Sequence, residues 1–177
     1  NAIFGNANYS VLNDIGRYGY DLVLGADALA PSRVRIDATH HRVLFGAPEP
    51  SDGIVLPLAF EDFVPITPVG LNGLNALLAL DTGDDATIDL AGAFYDKHAG
   101  LFTPAGEQSV AGVGAASVES TGRIAVVTLG DRRLFDQPIA ETRTLLGTAD
   151  GHLGSGFLQK FVVTLDYAAQ RATLAAP

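Results

Sequence analysis

The sequence predicts a mostly β fold, and three observations lead to this prediction. The apolar runs are short, and several of them alternate with polar residues as strands do. The 20 glycines and 9 prolines are spread along the 177 residues, which is typical of many short strands joined by turns. A strand-rich segment near the start also recurs near the end of the chain. With 47% hydrophobic and 18% charged residues, the chain can bury a core.

The recurring segment aligns with its second copy without a gap, so the spacing between matched residues is the same in every pair. Each copy predicts a short apolar strand that ends at a glycine, one helical turn, an alternating strand, a polar turn and another strand. Such a match favours a duplication over chance. The matched pairs are Gly25 with Gly154, Leu29 with Leu158, Asp37 with Asp166 and Arg42 with Arg171.

The duplication divides the chain into unequal parts. We predict that residues 1–48 are the C-terminal part of a first lobe, that residues 49–53 are a linker, and that residues 54–177 form a complete second lobe. By analogy with the second lobe, most of the first lobe would precede Asn1.

Within the second lobe, the patterns predict strands and one helix in a definite order. The Asn72-Gly73 step predicts a tight hairpin between two strands. A short helix is expected from Gly92 to His98, and small side chains predict a flexible segment from Gly112 to Gly122. The predicted strands cover residues 54–60, 64–69, 76–80, 87–90, 124–129 and 138–142.

Composition excludes several functional classes. The net charge of -9 and the dispersed arginines argue against nucleic-acid binding, which needs clustered cations. The absence of cysteine excludes disulfides and thiol nucleophiles. No apolar run approaches the roughly 18 residues of a membrane-spanning helix. The scattered histidines predict no metal site, and no cofactor-binding glycine loop is present, so we expect no cofactor.

Asp81-Thr82-Gly83 is the candidate for chemistry, because it directly follows the apolar strand 76–80. The triplet alone also fits an ordinary turn, since all three residue types favour turns. In its context, however, it resembles the lobe of the aspartic proteases, most closely the retropepsin-like members that include retroviral proteases and their bacterial relatives. The residues that carry the resemblance are 79–88, the Gly112-Val113-Gly114 region, and Leu153-Gly154 with its earlier copy Val23-Leu24-Gly25.

This resemblance implies a β-barrel lobe that is closed by the apolar-apolar-Gly strand and a short helix, with the tail of a second similar lobe at residues 1–48. It also implies an aspartic endopeptidase, in which two carboxylates share one proton and activate a water molecule. Asp81 would be one of the two. Thr82 would lock the loops of the two lobes together, and Gly83 would let the backbone approach the carboxylates closely.

Further residues would contact an extended peptide substrate. Asp85 matches an acidic residue that contacts the substrate backbone in retroviral proteases, although a solvated charge on a turn fits it equally well. Ile88 is expected to line the groove. Gly112, Val113 and Gly114 are expected at the tip of a flap that opens for the substrate and closes over it.

The second aspartate is not visible, because the chain contains no other Asp-Thr-Gly and no Asp-Ser-Gly. It would come from the missing front of the first lobe or from a second copy in a homodimer. The truncated lobe favours the first route.

The sequence departs from the family at three positions. The apolar-apolar-Gly motif of the second lobe begins with His152, a weaker match than Val23-Leu24-Gly25. Asp84 stands where most members have Ala or Ser, so it either raises neighbouring pKa values or points to solvent. Ser155 replaces an arginine of the retroviral enzymes, so the ion pair made by that arginine is absent.

Two alternatives remain open at this stage. The chain would otherwise be a catalytically inactive retropepsin-like module for peptide binding or assembly, or an unrelated β-sandwich without a two-fold relation between the repeats. Because bacterial members of the family that the chain resembles are often extracytoplasmic, the resemblance implies a periplasmic or secreted location.

Overall fold

The computed structural model describes residues 24–111, 116–143 and 147–177, and it confirms the prediction of a mostly β fold. In the described parts, no helix is long and apolar enough to cross a membrane. The elements are α1 (Ala26–Leu29), β1 (Val34–Asp37), β2 (Arg42–Phe45), β3 (Ile54–Pro57), β4 (Ala59–Glu61), β5 (Val64–Leu71), β6 (Leu74–Leu80), β7 (Ile88–Ala91), α2 (Gly92–Lys97), a 3₁₀ turn (Ala99–Leu101), β8 (Thr103–Ala111), β9 (Ala116–Leu129), β10 (Arg132–Thr142), β11 (Gly151–Leu153), α3 (Ser155–Leu158), β12 (Val162–Asp166) and β13 (Arg171–Ala175).

A five-stranded antiparallel sheet joins the two repeats, in the order β2-β1-β12-β13-β3. At its centre, β1 pairs with β12, the strand at the equivalent position of the second repeat. Arg35 pairs with Thr164, which is its own equivalent in the second copy, and the flanking pairs exchange partners reciprocally. This is the contact pattern of a two-fold axis between equivalent strands. The pairs are Val34 with Leu165, Arg35 with Thr164 and Ile36 with Val163.

The local structure of the two repeats also agrees. Helices α1 and α3 begin at equivalent positions of the repeat, and each follows a glycine with extended backbone, Gly25 or Gly154. The β1–β2 and β12–β13 hairpins have the same register. Each hairpin turn contains one residue with left-handed backbone, His41 at φ 51° and Gln170 at φ 50°. The gapless repeat in the sequence is therefore a repeat in the structure.

An aspartate closes the turn in both copies. Asp37 Oδ1 accepts a hydrogen bond from the amide N–H of His40 at 3.1 Å, and Asp166 Oδ1 accepts one from Ala169 at 2.9 Å. Asp166 additionally binds Arg33, which belongs to the first repeat, with a distance of 2.8 Å between Arg33 Nε and Asp166 Oδ2. This pair is an ionic cross-link between the repeats.

The second sheet has eight strands in the order β4-β5-β6-β11-β7-β10-β9-β8. β5 also pairs with β9, through Gly70 with Thr128 and Leu71 with Val127. The six strands β5-β6-β11-β7-β10-β9 therefore form a closed circuit. A closed sheet of this kind is the barrel that the sequence predicts. Its interior belongs to a core with fully buried side chains from most strands, among them Leu71, Leu78, Ile88, Leu90, Ile124, Leu129 and Leu153.

Several predicted elements need correction. The expected strand 54–60 is two strands in different sheets, since β3 pairs with β13 while β4 pairs with β5. Residues 116–122 are not a flexible segment but the first half of β9. Their small side chains gave a loop-like pattern, but β9 is paired with β8 on one side and β10 on the other, and these contacts outweigh local propensity.

Candidate active site

Asp81 lies at the end of β6, where the strand leaves the barrel. Its amide N–H donates to the carbonyl of Leu153 at 3.0 Å, so the start of the loop continues the pairing of β6 with β11. Asp81 is half-buried as a residue, and its Oδ1 accepts an exposed hydrogen bond from the amide N–H of Gly83 at 2.8 Å. Thr82 and Gly83 are exposed. The loop therefore presents a fixed carboxylate at the surface of the barrel.

The turn between β11 and α3 donates hydrogen bonds to the carbonyl groups of this loop. The amide N–H of Ser155 donates to the carbonyl of Asp84 at 2.6 Å, and Ser155 Oγ donates to the same oxygen at 2.8 Å. The amide N–H groups of Gly154 and Gly156 donate to Thr87 and Ala86. The first N–H groups of a helix have no partner within the helix, and here the loop carbonyls accept hydrogen bonds from them. The predicted apolar-apolar-Gly strand and helix thus position the Asp81 loop.

Two glycines, one in the loop and one in its support, leave little room for a side chain. A Cβ at Gly154 would collide with the carbonyl oxygen of Ala86 and would lie 2.9 Å from that of Asp84. A Cβ at Gly83 would lie 3.2 Å from Asp81 Oδ1, a tight approach beside the candidate carboxylate. Both positions agree with close backbone packing around the site.

Four polar side chains from four elements meet behind the loop. Asp89 on β7 and His152 on β11 are cross-strand partners, and both are buried. Glu119 on β9 is also buried. Asp84 points inward from the loop, with 3.7 Å between His152 Nδ1 and Asp84 Oδ2. In the described part of the chain, no group of three or more such side chains has the geometry to hold a metal ion.

The pKa values of Asp84 and Asp89 shift in opposite directions. Burial raises the pKa of Asp89 from 3.8 to about 7, and the charges of Asp84 and Glu119 act in the same direction. Burial also acts to raise the pKa of Asp84, but His152 and the amide N–H of Ala86 stabilise its carboxylate, and its pKa is lowered. Asp84 therefore points into the protein and not to solvent, and the group whose pKa its charge raises is Asp89.

The structure places the other predicted site residues as follows. Asp85 is exposed, whereas the side chain that closes the turn is Asp84, whose Oδ1 accepts from the amide N–H of Ala86 at 3.0 Å. Ile88 is fully buried in the core and does not line an open groove. Its position in β7 alternates with Asp89, so its side chain packs among the leucines of the barrel. Gly112, Val113 and Gly114 lie outside the described residues.

The buried cluster was not predicted from the sequence, although two signals indicated it. Asp89 is a charged residue inside a short apolar strand, and His152 takes an apolar position of the apolar-apolar-Gly motif. Charged residues at buried strand positions are rare unless they have partners. The partners are far apart in the sequence, so only the fold brings them together.

Two solved structures similar to this chain are proteases. A retropepsin-like aspartic protease from Rickettsia conorii matches with 14% sequence identity and a TM-score of 0.47, over 71% of this chain and 90% of that chain. The EIAV protease complexed with the inhibitor HBY-793 matches with 20% identity and a TM-score of 0.46, over 57% of this chain and 92% of that chain. No family model and no curated protein matches. Sequence identities and TM-scores this low carry no functional argument, so the function proposed below is argued from the residues of this chain.

Proposed function

We propose that this chain carries one half of an aspartic endopeptidase active site. Asp81 supplies one carboxylate, and an aspartate of a partner lobe supplies the other. The observation that carries the proposal is the two-fold pairing of β1 with β12. Peptide hydrolysis by a carboxylate pair needs two such loops facing each other, and a two-fold axis provides that arrangement. It also disfavours the unrelated β-sandwich, which predicts no such relation.

In the proposed reaction, the two carboxylates share one proton. The ionised carboxylate takes a proton from a water molecule, which attacks the peptide carbonyl, and the protonated carboxyl donates to the carbonyl oxygen, giving a tetrahedral diol. The diol then returns one proton to the carboxylate that donated, the C–N bond breaks, and the other carboxyl gives its proton to the leaving nitrogen, so that the pair again holds one proton. The hydrogen bond from Gly83 to Asp81 Oδ1 fixes the orientation of the carboxylate for this step. Thr82 would lock the two loops, and Asp85 and the flap residues 112–114 would bind the peptide.

The same geometry favours a two-lobed chain over a homodimer. In a homodimer, β12 of a second copy would have to pair where β1 already lies. We therefore propose that residues 1–48 belong to the first lobe, that 49–53 are a linker, and that 54–177 are the second lobe. The missing aspartate would then come from a segment before residue 1. We also propose an extracytoplasmic location, which cell fractionation would test.

The outer edge of β2 is the proposed contact surface for this first lobe. Its equivalent strand, β13, is covered by β3, whereas β2 is the last strand of its sheet in the described structure. Val43, Leu44 and Phe45 are exposed on it. An unpaired edge with apolar side chains is suited to strand addition. A strand equivalent to β3 would complete the symmetric sheet.

The test is cleavage of a denatured protein at acid pH, by the chain alone and by a longer chain that includes the proposed first lobe, called the precursor below. We expect pepstatin-sensitive cleavage by the precursor, with a rate proportional to enzyme concentration. Asp81→Asn should lower the rate by roughly 10²–10⁴-fold, the usual contribution of one acid–base group. Asp62→Asn is the matched control, because Asp62 is exposed on a turn at φ 47°, which asparagine also tolerates.

Each other outcome has a definite meaning. Cleavage that persists in Asp81→Asn contradicts the proposal. Activity of the isolated chain that rises with the square of its concentration would indicate a homodimer instead. A folded precursor without any cleavage would support the inactive peptide-binding or assembly module.

A further inference from the structure

The buried cluster behind the Asp81 loop contains two carboxyl groups whose hydrogen bonding is incomplete. Asp84 Oδ2 and Asp89 Oδ1 are both buried and have no hydrogen-bond donor. Asp89 is only 6% exposed. Each carboxyl group nevertheless acts as a hydrogen-bond partner on the pKa of the other, lowering that of Asp84 and raising that of Asp89. Two carboxylates cannot hydrogen-bond to each other, because both are acceptors, unless one of them carries a proton.

We propose that Asp84 and Asp89 share one proton, and that this proton is a pH-sensitive lock that holds the Asp81 loop against β11 and α3. Asp84 is the residue through which the lock would act. Its carbonyl accepts two hydrogen bonds from Ser155, and its side chain caps the turn at Ala86. A movement of Asp84 would therefore loosen the loop. The inference concerns this chain alone and goes beyond the proposed activity.

The surroundings of Asp89 explain why the proton stays in the folded protein. Asp84 faces it from the loop, Glu119 from β9 and His152 from β11. On β10, the residue paired with Asp89 is Ala140, which carries no charge. Ionisation of Asp89 would thus add a negative charge to a buried site with two other carboxyl groups. His152 acts in the opposite direction, since its charge lowers the pKa of Asp89.

The direction of the pH effect follows from the raised pKa of Asp89. The folded protein binds this proton more tightly than the unfolded chain, so its stabilisation is complete below about pH 4, the ordinary pKa of an aspartate. The stabilisation is lost as the pH rises through the folded pKa of about 7. The loop should therefore be most firmly held in acid and should loosen toward neutral and alkaline pH.

Hydrogen exchange of single amides tests the lock directly. The amide N–H groups of Ser155 and Gly156 donate to the loop. The internal control is the amide N–H of Asn72, which lies at the opposite end of β6 from Asp81 and donates to Val126. Between pH 5 and pH 8, we expect the protection factors of Ser155 and Gly156, corrected for intrinsic exchange, to fall about tenfold or more relative to the control. Equal changes at all three amides would overturn the proposal.

Asp89→Asn isolates the shared proton. The asparagine N–H can donate to Asp84 at every pH without titrating, so this variant should show the same protection at pH 5 and pH 8. Asp131→Asn, on an exposed turn, should behave like the unmodified chain. A fall in protection that persists unchanged in Asp89→Asn would contradict the proposal.

A second measurement does not depend on a folded variant. Infrared spectroscopy of the unmodified chain in D₂O should show the carbonyl band of a protonated carboxylic acid at pH 6, and the band should disappear above pH 8. Absence of the band at pH 6 would overturn the proposal. Neither experiment needs a substrate, so both can fail while the Asp81→Asn test succeeds, or the reverse.

Discussion

At the scale of single residues, Gly154 fixes the geometry of the candidate site. It joins β11 to α3, and its amide N–H donates to the carbonyl of Thr87 at 3.2 Å. The carbonyl oxygens of Ala86 and Asp84 occupy the space where a Cβ would stand. These atoms belong to the backbone of the Asp81 loop and are held by further hydrogen bonds. A side chain at this position would therefore push the loop away from its support.

Gly154→Ala should destabilise the chain by about 1–3 kcal/mol, the usual cost of overpacking, because the clash involves backbone and not a flexible side chain. Denaturant unfolding at pH 5 would measure it. Gly100→Ala is the matched control, since nothing lies within 4 Å of a Cβ at Gly100. The control should change stability by less than about 0.5 kcal/mol. Equal effects of the two substitutions would contradict the account of Gly154.

Some residues of the candidate site could be predicted from the sequence, and others could not. Asp81, Gly83 and Gly154 were predicted from local motifs, and the structure brings all three to one loop and its support. Ile88 was expected in the groove, but the strand alternation turns it into the core. The cluster around Asp89 was not predicted, because its pKa and its contacts depend on residues that are distant in the sequence, such as His152. Local pattern identifies such residues, but tertiary packing decides which way they face.

At the scale of elements, the turn of the β5–β6 hairpin contacts two distant parts of the chain through Asn72. The Asn-Gly signal predicted this hairpin, and Asn72 and Gly73 both have positive φ, at 49° and 90°. The sequence did not predict the side-chain role of Asn72. Its Nδ2 donates to the carbonyl of Leu101 at 2.7 Å, and its Oδ1 accepts from the amide N–H of Val126 at 2.8 Å. Such long-range contacts cannot be found from turn chemistry alone.

Asn72→Ala should cost about 2 kcal/mol or more of unfolding free energy. It removes two hydrogen bonds of about 1 kcal/mol each and places an alanine in the left-handed region, which costs roughly a further 1–2 kcal/mol. Asn75→Ala, on an exposed position of β6, should cost much less. Denaturant unfolding of both variants is the measurement. If Asn72→Ala costs no more than an ordinary surface substitution, about 0.5 kcal/mol, the turn does not depend on these contacts.

At the scale of the whole molecule, the five-stranded sheet joins residues 24–48 to the rest of the chain. The repeat in the sequence predicted two equivalent hairpins, but not that their first strands pair about a two-fold axis. That pairing depends on contacts between residues near opposite ends of the chain. The ion pair of Arg33 with Asp166 strengthens it. Burial acts to raise the pKa of Asp166, but the amide N–H of Ala169 and the guanidinium of Arg33 lower it.

Arg33→Ala should therefore destabilise the chain by about 2 kcal/mol, since it removes the charge-assisted hydrogen bonds that the Arg33 guanidinium donates to the buried Asp166 carboxylate. Because the folded pKa of Asp166 is lowered, the contribution of the pair is present above about pH 4 and is lost as the pH falls through the folded pKa. The difference between Arg33→Ala and the unmodified chain should thus be largest near pH 6 and should shrink in strong acid. Arg132→Ala, whose partner Asp131 is exposed, is the matched control and should change stability by less than about 1 kcal/mol at every pH. A pH-independent loss in Arg33→Ala would show that packing of its side chain, and not the charge, joins the two repeats.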